Sequence, residues 1–207
     1  EHAEASKIAL FSIADYAWNM DAYKSDASWR RAVRYLMPGH AAALQVFASH
    51  NSDLGGNEHD FRREESEQIR PALERLLDAY CREGKREVAA ASAVTEECER
   101  MIASADLLLA SDENPALIKE ITPWLMQFKL LGEYGREVLC MLAAQCDGKK
   151  TELEKAASHA KALQVLMKKI DATYNQNGFQ PGVKTGSCHL KPAFDRLYQE
   201  VVQRTGK

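Results

Sequence analysis

Apolar residues recur at steps of three and four along the whole run from Lys85 to Tyr174. That period lays them on one face of an α-helix. Three segments share it. In Lys85–Ala110 the stripe is Val88, Ala91, Val94, Cys98, Met101, Ile102, Ala105, Leu108 and Leu109. In Pro115–Cys146 it is Ile118, Ile121, Leu125, Phe128, Leu131, Val138, Leu139, Leu142 and Cys146. In Thr151–Tyr174 it is Leu153, Ala156, Ala160, Leu163, Leu166, Met167, Ile170 and Tyr174. Short breaks make such neighbours antiparallel. The pattern therefore predicts an all-α protein, a helical bundle built around three long antiparallel helices with additional shorter ones. The punctuation agrees. Asn114 stands before Pro115 as an N-cap before a first-turn proline. Thr151 with Glu154 makes a capping box. Gly148 and Gly84 lie where helices end on a left-handed residue.

The remaining pattern adds elements on both sides of this core. Ala3 to Trp18 is apolar on more than one face, so it expects cover on most sides. Ile8, Phe11, Ala14 and Trp18 make one arc of it, and Leu10 and Ile13 widen the apolar surface beyond that arc. Ser28 reads as the N-cap of a helix through Met37, which Pro38-Gly39 interrupts. A further helix spans His40 to about His50, followed by a long polar, glycine-containing loop, Asn51 to Asp60. Phe61 to Tyr80 is helical, with Pro71 near its start. After the core comes a turn-rich segment, then a last helix led in by Leu190-Lys191-Pro192. The whole reads as a single helical domain, 1–207. N-terminal helices occupy 1–80, the three-helix core 85–174, and the C-terminal helix 192–205.

Composition narrows the chemistry. The 207 residues carry a net charge of −3 with both signs interspersed, and no basic face for nucleic acid builds up. No apolar run is long enough for a membrane span. Five cysteines occur without a CxxC. Cys98, Cys140 and Cys146 fall on or near the apolar stripes and read as small buried hydrophobes. The histidines show no HxxxH or HExxH spacing, so no metal site is expected. The clustered acids are Glu64-Glu65, Glu96-Glu97 with Glu99, and Asp112-Glu113; Glu96, Glu97 and Glu99 lie mostly opposite their apolar stripe and read as a solvated helix face, and no cluster sits in an obviously recessed, apolar context. A general acid needs such a setting. No nucleophile elbow or phosphate-binding loop is present, and neither catalytic residues nor a cofactor are expected in this chain.

Two stretches carry a resemblance. Residues 4–19, EASKIALFSIADYAWN, together with Ser28-Trp29 and Arg34-Tyr35-Leu36, are similar to the segment that follows the catalytic barrel in glycoside hydrolase family 84. His50 to Gly55, Arg63 to Ser66, Gly182 to Lys184 and Leu190 to Pro192 extend the likeness over essentially the whole chain. That family holds the O-GlcNAcases and the bacterial β-N-acetylglucosaminidases once called hyaluronidases. The resemblance implies substrate-assisted, retaining hydrolysis of β-linked N-acetylglucosamine by an adjacent pair of barrel aspartates. This chain has no Asp-Asp pair, so that machinery maps onto none of its positions. The resemblance thus implies a non-catalytic post-catalytic helical domain. It would support the barrel of its own parent protein, border the substrate groove, and meet glycan or glycoprotein substrate only through the parent. It also implies a bacterial, secreted or periplasmic setting. Helix 3–18 would face the barrel. The candidates for facing the barrel or bordering the groove are Leu10, Asp15, Trp18, Asn19, Asp53, Arg63 and Glu64, with Asp15 and Asn19 placed to tie the helix to the loop at 51–60. Two other readings compete. One is an independent glycan- or protein-binding module, which would need exposed aromatic platforms. The other is an enzyme in its own right.

Overall fold

The computed structural model describes residues 4, 6–50, 66–85, 87–146, 150–176 and 190–205. These residues are all-α. Eight helices are described: α1 (Ser6–Trp18), α2 (Ser25–Leu36), α3 (Ala41–His50), α4 (Ser66–Glu83), α5 (Val88–Leu109), α6 (Pro115–Cys146), α7 (Lys150–Gln176) and α8 (Lys191–Thr205). A short 3-10 turn, Met20–Ala22, links α1 to α2. The capping predictions at Asn114 and Gly84 are met. The Leu117 amide donates to Asn114 Oδ1 at 3.3 Å. Gly84 adopts φ +67°, and its amide and that of Lys85 return to the Tyr80 and Ala79 carbonyls. Gly148 and the side chain of Thr151 lie outside the described residues. Helix α2 begins at Ser25, so Ser28 is not its cap but a buried residue inside it.

Helix α6 is the axis. Helices α5, α7 and α8 all pack against it, α3 and α4 pack on α5, and α8 also reaches α4. Cross-pairs give the direction of α5 against α6. Lys129 pairs with Asp106, and Arg136 with Glu99, so advancing along one helix means retreating along the other. Two glycines set the spacing. A methyl at Gly132 would come within 2.9 Å of the Cys98 carbonyl, and one at Gly135 within 2.5 Å of the Phe194 ring. Their bare backbones let α5 and α8 close onto α6. The core runs through Val94, Cys98, Met101, Leu108, Ile121, Leu125, Phe128, Tyr134, Val138, Leu142 and Phe194. Its buried Tyr134 hydroxyl donates to Asp195 at 2.7 Å.

Three expectations need correcting. Val88 is exposed at the first position of α5, where Ala90 and Ala91 of the same turn take the buried positions. Cys140 is exposed rather than buried, since Val138, Leu139, Met141 and Leu142 around it take the inward positions. Glu97 is not on a solvated face. It lies three residues after Val94 and four before Met101, on the margin of the stripe, and is buried.

Candidate functional site

Helix α1 is where the chain departs from ordinary packing. At 100° per residue, Ile8, Ser12 and Asp15 share one side, and Leu10, Ile13, Ala14 and Ala17 the other. The first side is the one turned to the protein. Ile8 is fully buried. Ser12 Oγ and Tyr23 Oη share a hydrogen bond of 2.6 Å. The Asp15 carboxylate pairs with the Arg31 guanidinium on α2. The Ser28 hydroxyl and Arg31 hold the Asp15 carboxyl below its ordinary range, against a smaller opposing effect of desolvation. The second side, wholly apolar, faces solvent. Leu10 is 60% exposed, Ile13 63% and Trp18, at the helix end, 92%.

The helix is thus inverted: polar side chains tie it down and apolar ones point away. Phe11 packs at its margin against Tyr35 of α2, the rings tilted at 50° with 4.8 Å between centroids, and Tyr35 is itself 71% exposed. This corrects the expected arc. Ile8 packs inward, but Ala14 and Trp18 point out with Leu10 and Ile13, because the ties at Ser12 and Asp15 fix the rotation of the helix. Asn19 is exposed and closes α1, its amide donating to the Asp15 carbonyl at 3.1 Å. Asp15 and Asn19 therefore sit at one end of α1 beside Trp18. Asp53, Arg63, Glu64 and the loop at 51–60 lie outside the described residues.

Two polar centres hold the α1–α3 segment to the rest. At the end of α3, His50 Nε2 meets Glu97 Oε1 of α5 at 2.5 Å in a fully buried contact, and Arg100 reaches the other carboxylate oxygen. Burial pushes the Glu97 carboxyl up, but the His50 hydrogen bond and charge, helped by Arg100, leave it below its ordinary range. The His50 ring also lies 5.5 Å from Phe128. Sequence reading missed this pair. Its signal was the stripe-margin spacing of Glu97, together with a histidine ending an apolar helix. At the second centre, Glu113 accepts from the Gly39 amide at 2.9 Å and meets His40 Nδ1 at 3.1 Å. It caps the start of α3 from across the fold. Ser111 Oγ lies 3.2 Å from the same His40 nitrogen.

The second centre does not have the geometry of a proton relay. A proton relay needs the hydroxyl on one ring nitrogen and the carboxylate on the other; at His40 both meet Nδ1. The buried Cys98 thiol is pushed far above its ordinary range by burial, and the Cys81 and Cys140 thiols are raised mainly by the same cause. None of the three is an activated nucleophile. Among the described residues no three metal-ligating side chains gather, and no helix is long and apolar enough to cross a membrane.

Two family models divide the chain at the connection between α3 and α4. A β-N-acetylglucosaminidase model matches residues 1–49, and a model of the bacterial GH84 post-catalytic domain matches residues 65–198. Solved structures share the fold. One described as CpGH84D is 26% identical, with TM-score 0.75, over 98% of this chain and 33% of that one. CpGH84B is 21% identical, with TM-score 0.74, over 94% of this chain and 31% of that one. A mutant of the Thermobaculum terrenum O-GlcNAc hydrolase is 19% identical, with TM-score 0.72, over 100% of this chain and 42% of that one. The chain therefore spans well under half the length of each of these structures.

Proposed function

This chain belongs to the family of bacterial GH84 post-catalytic helical domains, and we propose that it supports the catalytic domain of a β-N-acetylglucosaminidase by seating the outer face of α1 against it. The observation that carries the reading is the inversion of α1. A free-standing domain gains by turning Leu10, Ile13 and Trp18 inward and leaving Ser12 and Asp15 in water. Here the polar groups are held in pairs on the protein side and the apolar ones are presented outward. Burying each large side chain is worth about 1.5–3 kcal/mol, so a covering surface gains several times that from the ridge. Helices α1 to α3, apart from the final His50, also fall within the segment matched by the β-N-acetylglucosaminidase model, upstream of the helical domain proper.

In this reading Trp18 and Asn19, at the C-terminal end of α1, border the substrate groove. The chain alone carries no adjacent aspartates and is not expected to hydrolyse an aryl β-N-acetylglucosaminide. Exposed Trp18 also suits the competing glycan-binding module. Trp29 and Trp124, however, are buried, which leaves Trp18 as the one exposed indole. The test is Leu10→Gln, made both in this chain and in the barrel-containing parent. It should leave the melting temperature of this chain nearly unchanged and lower that of the parent. A loss in this chain as large as that of Leu125→Gln would show that α1 is an internal helix.

A further inference from the structure

We infer that Arg30 and Arg34 of α2 form a cationic rim beside the α1 ridge, and that the domain receiving the ridge offers them carboxylates; the inference rests on the docking reading above. Helix α2 buries Trp29 and Val33 and turns Arg30, Arg31, Arg34 and Tyr35 outward. Arg31 is committed to Asp15. Among the described residues no ion pair is made by Arg30 or Arg34. They are one helical turn apart and share a face.

Two contacts place that face next to the ridge. Arg31 holds Asp15 of α1, and Tyr35 packs against Phe11 of α1, so α1 lies along the Arg31–Tyr35 edge of α2. Arg34 directly precedes Tyr35, and Arg30 is the next turn back. Apolar ridge, Tyr35 and arginines therefore form one continuous outward surface. Tryptophan, tyrosine and arginine are also the residues that interfaces favour over lysine and glutamate.

Charge decides the occupant's chemistry. A surface that covers Leu10 and Ile13 excludes water from the flanking guanidinium groups as well. A guanidinium cannot shed its protons, so it is covered at least cost against a carboxylate, which neutralises it and which its planar fork matches in a two-bond geometry. The rim also opposes the sign of the whole chain, whose net charge is −3. The occupant is an acidic margin around an apolar seat on the preceding domain, not an acidic segment of substrate. The reason is that the arginines continue the surface of α1 along the shared α1–α2 edge.

The experiment follows amide hydrogen exchange of α1 in the full parent protein, with this chain alone as reference. The variant is Arg30→Glu with Arg34→Glu, and the control is Arg75→Glu on the exposed side of α4. Docking protects α1 in the parent relative to this chain. The double variant should speed α1 exchange by roughly tenfold at low salt. That effect should shrink at about 1 M salt, where charges are screened within a few ångströms. The control should do nothing. If α1 is protected in the parent but the double variant exchanges like wild type, the rim is wrong and the docking reading stands. If α1 exchanges equally fast in both wild-type proteins, the docking reading fails and takes the rim with it. If the double variant leaves α1 exchange alone but weakens turnover of an acidic glycopeptide over a neutral one, the arginines face substrate and the inference is overturned.

Discussion

Helices α1 and α6 are both rich in apolar residues, and they use them in opposite ways. Around α6 every stripe residue from Ile118 to Leu142 is covered, and Gly132 and Gly135 are bare so that neighbours can approach. On α1 only Ile8 is fully covered, and the apolar majority points to solvent. Their polar groups differ in the same sense. The contact that ties α3 to α5 beside α6, His50 with Glu97, is buried, whereas the one that ties α1 to α2, Asp15 with Arg31, is exposed. Helix α6 is held by burial, and α1 by polar contacts that leave its burial unspent. The first is the internal architecture of a domain, and the second is the surface that the docking proposal assigns to another.

Substitutions that act on one side of this contrast sharpen it. The largest effect is expected from Leu125→Gln, which removes a fully buried side chain and strands an amide in the core. It should cost about 3–5 kcal/mol in chemical denaturation of this chain. Next is Glu97→Gln, which breaks the buried pair with His50 and should cost about 3 kcal/mol near neutral pH. Its pH dependence has a definite sign. The folded Glu97 carboxyl titrates below its ordinary value of 4.5, so its stabilisation is fully present above that value and is lost as pH falls through the lower folded value. Wild type and Glu97→Gln should therefore converge in stability in acid and separate above about pH 5. Gly135→Ala is third. Its methyl would meet Phe194 at 2.5 Å and Cys98 Sγ at 2.7 Å, and overpacking of this kind costs about 1–3 kcal/mol. The smallest effect is that of Leu10→Gln on this chain alone, within about 0.5 kcal/mol because the side chain is already in solvent. A large loss there would erase the contrast between the two helices.

The three long helices were legible because their period is sustained and their ends carry local chemistry, such as Asn114 before Pro115 and Gly84 after α4. The inside of α6 was legible for the same reason. The rotation of α1 was not. The apolar residues of α1 occupy more than one face, so burial alone does not choose among them, and the face was chosen by Tyr23 and Arg31, which lie outside α1. The His50–Glu97 pair was hidden differently. Each residue alone is ordinary for a helix end or a charged face, and only the crossing of α3 over α5 brings them together. Cys140 shows the opposite error, a residue beside a stripe assigned to it. Of the candidate residues, Leu10, Trp18 and Asn19 are exposed on α1 and its end, while Asp15 pairs behind them with Arg31.

The account's central claim is that another domain of the parent protein covers the outer face of α1. Hydroxyl-radical footprinting, read residue by residue in this chain and in the barrel-containing parent, tests it most directly. Buried Trp29 and Trp124 serve as internal references. In this chain Trp18, Leu10 and Ile13 should label far faster than those references. In the parent, Leu10 and Ile13 should drop to the level of buried aliphatic residues such as Leu125. Equal labelling of Leu10 and Ile13 in the two proteins would contradict the claim.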